Sequence, residues 1–131
     1  MKIESQITEV ENSQENVFSF LSDFNNFQKM MPPQVSDWKS TPDECTFVIN
    51  GMATIGMKIT ERKPNEQITI ISHGGKIPFS FTLLAKVTAN GSHCKGQLLF
   101  ESDMNPMMKM MVEKPLTNFF NLLSSKMKEI K

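Results

Sequence analysis

The chain has no tyrosine, a single arginine and only two cysteines, and each shortage removes a class of function. Without tyrosine there is no phenol to act as a catalytic acid in a binding cavity. With one arginine, Arg62, and fourteen basic residues balanced by fourteen acidic ones, the chain lacks the positive surface that phosphate contacts require. We therefore expect no nucleic-acid partner.

The two cysteines, Cys45 and Cys94, are too few for a disulfide framework and have no metal-ligand spacing. We expect reduced thiols, because the N-terminal residues contain no continuous apolar stretch of signal-peptide length. Nowhere do about eighteen apolar residues run together, so we expect no transmembrane segment. These features predict one cytoplasmic domain over residues 1–131, which is long enough to bury its own core.

The first third of the chain changes from strand to helix patterning. Residues 2–10 alternate, with Ile7 on the expected dry face, which predicts a strand with one solvated face. The segment from Ser13 to Pro32 has helical spacing; the serine can cap the first turn and the proline ends the run. A break near Asp23 divides this segment into two short helices in tandem.

From Val35 to Asp103 the hydrophobic period becomes two, and turn sequences divide the stretch into six strands. These are TPDE at 41–44, NG at 50–51, KPNE at 63–66, GG at 74–75 and NG at 90–91. Because Asn-Gly and Gly-Gly allow the positive φ of tight turns, we expect an antiparallel meander. Its dry face should carry Phe47, Ile55, Met57, Phe79, Phe81, Leu83, Leu98 and Phe100, and its wet face Lys58, Lys86 and Glu101. The strand at 67–73 is apolar on both sides, which leaves its register open.

The last element should be a long helix that covers the dry face of the sheet. Asn105 is a good cap and Pro106 suits the first turn, so the helix should begin there and run to about Ile130. Pro115 lies inside it and removes a hydrogen bond, at a cost of about 3 kcal/mol in a straight helix. We therefore expect a kink or a break near residues 111–115.

This order of elements, with the sequences VFSFLSDFNNFQKMMP and VSDW, resembles the START-like superfamily, also called SRPBCC or polyketide cyclase/dehydrase and lipid transport. The resemblance covers nearly the whole chain and contains no catalytic signature. It implies an α+β helix-grip fold: a curved seven-stranded antiparallel sheet, two short helices after strand 1 and a long C-terminal helix. It also implies a cavity between sheet and helix, which the superfamily uses for lipids, sterols, polyketides, plant hormones or aromatic substrates. The fold alone does not choose among these functions.

Five methionines lie in the first turns of the expected C-terminal helix or immediately before its cap. Met104, Met107, Met108 and Met111 follow helical spacing, whereas Met110 points elsewhere. Because methionine is flexible and polarizable, these four side chains could line a cavity, or they could simply pack in the core. A Cu(I) site is disfavoured, since methionine ligands need exposure or a nearby His or Cys, and a membrane contact through Met110 is only slightly better supported. We expect no metal and no cofactor.

No catalytic motif is present: there is no Ser-His-Asp order, HExxH, CxxC or glycine-rich phosphate loop. His73 is the one histidine in a strand-like stretch, and it could face the cavity or, more simply, water. Trp38, together with Phe24 and Phe27, could gate the cavity or support the core.

The leading hypothesis is a binding module for an apolar or amphipathic small molecule, lipid-like, polyketide-like or aromatic. A cyclase or hydratase that uses a polar residue such as His73 is one alternative, and an interaction protein like the chaperone co-activators with this fold is another. We expect a monomer or weak homodimer. The predicted ligand-binding residues are Trp38, Phe47, Ile55, Met57, Phe79, Phe81, Leu83, Phe100, Met104, Met107, Met108 and Met111.

Overall fold

The computed structural model describes residues 1–50 and 53–130. The strands within these ranges are β1 (Lys2–Glu4), β2 (Thr8–Val10), β3 (Val35–Ser40), β4 (Glu44–Ile49), β5 (Ala53–Lys63), β6 (Gln67–Ser72), β7 (Phe81–Asn90) and β8 (His93–Ser102). The helices are α1 (Gln14–Leu21), α2 (Phe24–Phe27) and α3 (Pro106–Lys126), with short 3-10 helices at Gln28–Met30 and Met127–Glu129. The turn predicted at 50–51 falls partly outside the described residues.

The strands form one antiparallel sheet in the order β1-β8-β7-β6-β5-β4-β3, and β2 also pairs with β8. β1 and β2 are two halves of the predicted first strand, so the sheet is seven strands wide. The six-strand meander is present, and α3 packs its apolar side on the sheet. The predicted α+β helix-grip fold is therefore confirmed.

Both short helices begin where the sequence predicts them. The side chain of Ser13 accepts a hydrogen bond from the backbone N–H of Asn16 and so caps α1. The carboxylate of Asp23 accepts from the N–H of Asn25 and caps α2. Because each cap satisfies a backbone donor that the first turn leaves free, the chain can end one helix and start the next within a few residues.

The alternation of the strands predicts which face is buried. Seven of the eight expected inward residues are buried: Phe47, Ile55, Met57, Phe81, Leu83, Leu98 and Phe100. Phe79 is only partly buried and lies before β7 rather than in it, because residues 73–80 form a connection that contains Pro78. Lys58 and Glu101 are exposed and Lys86 is half-buried on the outer face. In β6, Ile68 and Ile70 face inward, which determines the register that the sequence left open.

A β-bulge divides the N-terminal strand. Glu4 pairs with Leu99 and Thr8 pairs with Gly96, so three residues of this strand lie opposite two of β8. One extra residue reverses the alternation beyond the bulge. The prediction that Ile7 faces the core is therefore wrong, and this side chain is 61% exposed.

Buried hydroxyl groups attach α3 to this bulge. The hydroxyl of Ser124 donates to the carbonyl of Gln6 at 2.9 Å and lies 3.1 Å from the Thr8 hydroxyl. Because the Ser124 proton is used on Gln6, Thr8 is the donor in the second bond. Ser5 is also buried, and its Oγ accepts from the N–H of Leu98 at 2.9 Å. The C-terminal half of α3 is thus fixed to the first strand by hydrogen bonds as well as by packing.

Of the predicted kink or break near residues 111–115, the break is wrong, because α3 continues through Pro115. Pro115 lies at an exposed position of the helix. The backbone bond that it removes therefore belongs to the solvated side, where water can satisfy the free carbonyl.

Gly96 makes room for Met127 at the end of α3, and this contact yields a test of the packing. A Cβ at position 96 would overlap the sulfur of Met127, which is fully buried. Gly96→Ala should lower the free energy of unfolding by about 1–3 kcal/mol through overpacking. Met127→Ala alone should lower it by about 2–5 kcal/mol.

Together the two substitutions should cost less than the sum of the single effects, because the shorter side chain removes the clash. Denaturant unfolding measures all three values, with the exposed Ser92→Ala as a control that should change little. Strict additivity would contradict the contact.

Candidate functional site

The candidate site is a small cavity between the sheet and α3. Its volume is about 30 Å³, enough for about one water molecule. Among the described residues only apolar side chains line it, so a water inside would lack hydrogen-bond partners and the cavity should stay dry. The lining consists of Met31, Phe47, Ile49, Ile55, Met57, Phe79, Phe81, Leu83, Phe100, Leu116, Phe119, Phe120 and Leu123.

A continuous series of aromatic contacts forms much of the wall. Neighbouring rings lie 5.1–6.4 Å apart between centroids, within the range of favourable aromatic pairs. The series connects the sheet to the helix and back, so that displacing one ring disturbs the next. It runs in the order Trp38, Phe47, Phe119, Phe120, Phe100, Phe81.

Helix α3 contributes four lining residues that the sequence prediction missed. Leu116, Phe119, Phe120 and Leu123 have spacing i, i+3, i+4, i+7, which places them on one face of the helix. The segment LTNFFNLL carries this signal in full. Met31 and Ile49 also line the cavity and are absent from the predicted set, although Ile49 shares the inward alternation of Phe47 in β4.

Two of the predicted methionines do not face the cavity. Met107 is 75% exposed and Met111 is 69% exposed, so the prediction that they turn inward is wrong. The buried side of α3 is set by residues such as Val112, and the helical phase puts Met107 and Met111 on the opposite side. Met104 and Met108 are half-buried and pack against the core outside the cavity lining.

Trp38 packs against the cavity wall from outside the cavity. A bulge in β3, with Asp37 at φ 52°, redirects the chain at this edge of the sheet. The indole stacks on Phe47 with centroids 5.2 Å apart, and its Nε1 donates to Ser40 Oγ at 3.0 Å. Trp38 is half-buried and touches a lining residue without lining the cavity itself.

Met31 and Phe79 mark the place where the cavity approaches the surface, because they are lining residues that are only partly buried. Phe79 belongs to the 73–80 connection, which is held against β5 by close backbone packing: a Cβ at Gly75 would lie 2.6 Å from the nitrogen of Gly56. Phe24 and Phe27, by contrast, are fully buried and pack on each other, as core support requires.

The titratable candidates lie away from the cavity. His73 is exposed, and its Nε2 lies 3.0 Å from Glu44 Oε1 beside an open outer depression. In residues 1–50 and 53–130, no group of three or more His, Cys, Asp or Glu side chains could hold a metal ion. None of the helices in the same ranges combines the length and apolarity needed to cross a bilayer.

Both cysteines are free, as the sequence predicts, and both are buried. Burial raises the pKa of the Cys45 thiol to about 12 and also raises the pKa of Cys94. Since a raised pKa leaves the thiol protonated below that value, neither group is a ready nucleophile at neutral pH.

A maleimide or disulfide reagent should therefore label neither cysteine in the native protein at pH 7–8 and both in denaturant. Rapid native labelling of either, followed by mass spectrometry, would contradict the buried placement.

The fold is that of solved START-like proteins. A START superfamily protein from Mycobacterium smegmatis matches with a TM-score of 0.69 and 16% identity over 99% of both chains. A KanY protein matches with a TM-score of 0.75 and 12% identity over 98% of this chain and 95% of that one. A protein from Thermobifida fusca matches with a TM-score of 0.71 and 14% identity over 99% and 95%. No protein-family model and no curated protein matches the chain.

These likenesses confirm the resemblance to the START-like superfamily at the level of fold. Identities of this size show the fold alone. The ligand has to be argued from the site itself.

Truncating a lining residue should have a very different effect from truncating an exposed methionine. Phe81→Ala should reduce the free energy of unfolding by about 3–5 kcal/mol, because Phe81 is 7% exposed and contacts the Phe100 ring. Met107→Ala should change it by less than about 0.5 kcal/mol, since that side chain is 75% exposed. Chemical denaturation of both variants tests the contrast, and similar losses at the two positions would contradict the observed orientation of α3.

Proposed function

We propose that the protein is a cytoplasmic binding module, a monomer or weak homodimer, that holds an apolar or amphipathic small molecule between the sheet and α3. The ligand would be lipid-like, polyketide-like or aromatic. The observation that carries this proposal is the wholly apolar lining of thirteen described side chains. A ligand polar group buried there would lack a partner and cost about 1–3 kcal/mol. The buried part of the ligand is therefore hydrocarbon, and any polar end stays near Met31 and Phe79.

The cavity has to expand to accept such a ligand. Its volume of about 30 Å³ is far below the roughly 300–1,000 Å³ of typical ligand pockets. The cavity would expand at the wall around Phe79, because this side chain is partly exposed and residues 77–80 belong to no strand. A ligand shifts the protein toward the expanded form to the extent that it binds that form more tightly.

The lining supports binding rather than catalysis. A cyclase or hydratase needs an acid or base within hydrogen-bond reach of the reacting group. The described lining offers none, and His73 is paired with Glu44 on the outside.

A protein-interaction role is the second candidate, and two observations favour it. The cavity is almost filled, and Met107, Met110 and Met111 expose apolar surface on α3. Contiguous exposed apolar surface is typical of contact sites. This role would use the solvent-exposed side of α3, whereas ligand binding would use the side that faces the sheet.

Trp38 provides the readout that separates these functions. It is the only tryptophan, the chain has no tyrosine, and its ring stacks on the lining residue Phe47. Titration with oleate, and separately with a naphthalene probe, should change the emission of Trp38. Native mass spectrometry should show the oleate adduct.

Two adjacent leucines of α3 give a matched pair of variants. Leu123→Phe adds volume to the cavity wall, where the side chain is 2% exposed, whereas Leu122→Phe adds it at a position that is 44% exposed. Leu123→Phe should weaken binding by about tenfold or more, equivalent to about 1.4 kcal/mol, and Leu122→Phe should leave it unchanged. If neither probe perturbs Trp38 nor forms an adduct, the binding function fails and the interaction role is favoured.

A further inference from the structure

Three methionines form an exposed set on the outside of α3, here called the thioether face: Met107, Met110 and Met111. They are 75%, 86% and 69% exposed. Their spacing is i, i+3, i+4, so they lie within about 100° of the helix circumference, opposite the buried side of α3. They do not line the cavity, and because they are exposed they contribute little to the packing of the core.

We propose that the thioether face binds a soft monovalent cation, Cu(I), through the three sulfur atoms. Thioethers are soft donors that favour Cu(I) over harder ions. The sequence alone disfavours copper, because methionine ligands need either exposure or a nearby His or Cys. The structure meets the first condition, since these three methionines are exposed. The site is separate from the ligand cavity and does not depend on the proposed function.

Helix geometry brings the three donors together. Met107 lies three and four residues before Met110 and Met111, at Cβ separations of about 5–6 Å, and each methionine has three rotatable bonds with which its sulfur can reach an ion held near Met107. The helix is well formed where the site begins: Asn105 Oδ1 accepts from the N–H of Met108 at 2.8 Å. The cation therefore orders side chains on an existing backbone and does not need to fold one.

The electrostatics of this face select against hard cations. The N-terminal end of a helix carries partial positive charge, which repels a cation. Lys114 follows Met110 and Met111 by one turn on the same side, and Lys109 is paired with Glu113 at 3.8 Å. Only sulfur bonding to a soft ion can offset this repulsion, so Mg²⁺, Ca²⁺ and Zn²⁺ should not bind.

The direct test observes the methionine methyl groups of the full chain. The protein is labelled with [methyl-13C]methionine and titrated without oxygen, first with Ag(I) as a redox-stable stand-in and then with Cu(I). Of the eleven methionine signals, those of Met107, Met110 and Met111 should shift together and saturate with one ion per chain. An ion at a buried cysteine would instead shift methionines within the sheet, such as Met57 opposite Cys45, so the two kinds of binding can be distinguished. Shifts confined to other methionines, or equal shifts with Zn²⁺, would overturn the proposal.

Replacing sulfur by carbon separates metal binding from apolar contact. The triple variant Met107→Leu/Met110→Leu/Met111→Leu keeps an apolar helical surface but removes the donors, and it should fold normally because all three positions are exposed. It should lose the bound ion, whereas the control Met104→Leu/Met108→Leu should keep it. Undiminished binding by the triple variant would refute a thioether site.

Removal of the nearby charge gives a second, independent test. Lys114→Gln should tighten Ag(I) binding severalfold, because it removes a positive charge from the same face of α3. Weaker binding in this variant would contradict direct coordination of a cation there.

Discussion

The packing of Phe119 and Phe120 against Phe47 and Phe100 is the contact on which the rest of the structure depends. It joins the only long helix of the described chain to strands at two separate places in the sheet. The serine and threonine hydroxyls at the N-terminal bulge then fix where along the sheet the helix lies. Burial supplies most of the stabilisation, and the hydrogen bonds fix the position.

This arrangement gives the two halves of α3 different surroundings. From Leu116 onward the helix has a continuous buried side, and Met127, directly after its last residue, occupies the space above Gly96. Before Val112, by contrast, most side chains are exposed. One element thus both closes a dry cavity and displays a sulfur-rich outer surface. The two proposed sites can therefore be changed independently by substitution.

Much of the fold could be predicted from the sequence, because alternation within β4, β5, β7 and β8 determines which side chains face inward. The cavity wall contributed by the strands follows from the same pattern. The bulge beside Ile7 could not be predicted, since one inserted residue has no sequence signature until the pairing with β8 is known. The orientation of Met107 and Met111 also escaped prediction. Their spacing suits either side of a helix, and the aromatic pair further along determines which side is buried.

The pairing of β1 with β8 has a consequence for how the chain acquires its structure. Ile3 lies opposite Phe100, so contacts between the first and last strands close a loop that contains every other strand and both short helices. Such pairings raise the contact order, and the entropy of closing a long loop slows their formation. During synthesis the N-terminal strand has no partner until the ribosome has released the last strand. The charged residues Lys2, Glu4 and Glu9, which alternate along it, then help to keep this open edge from pairing with other chains.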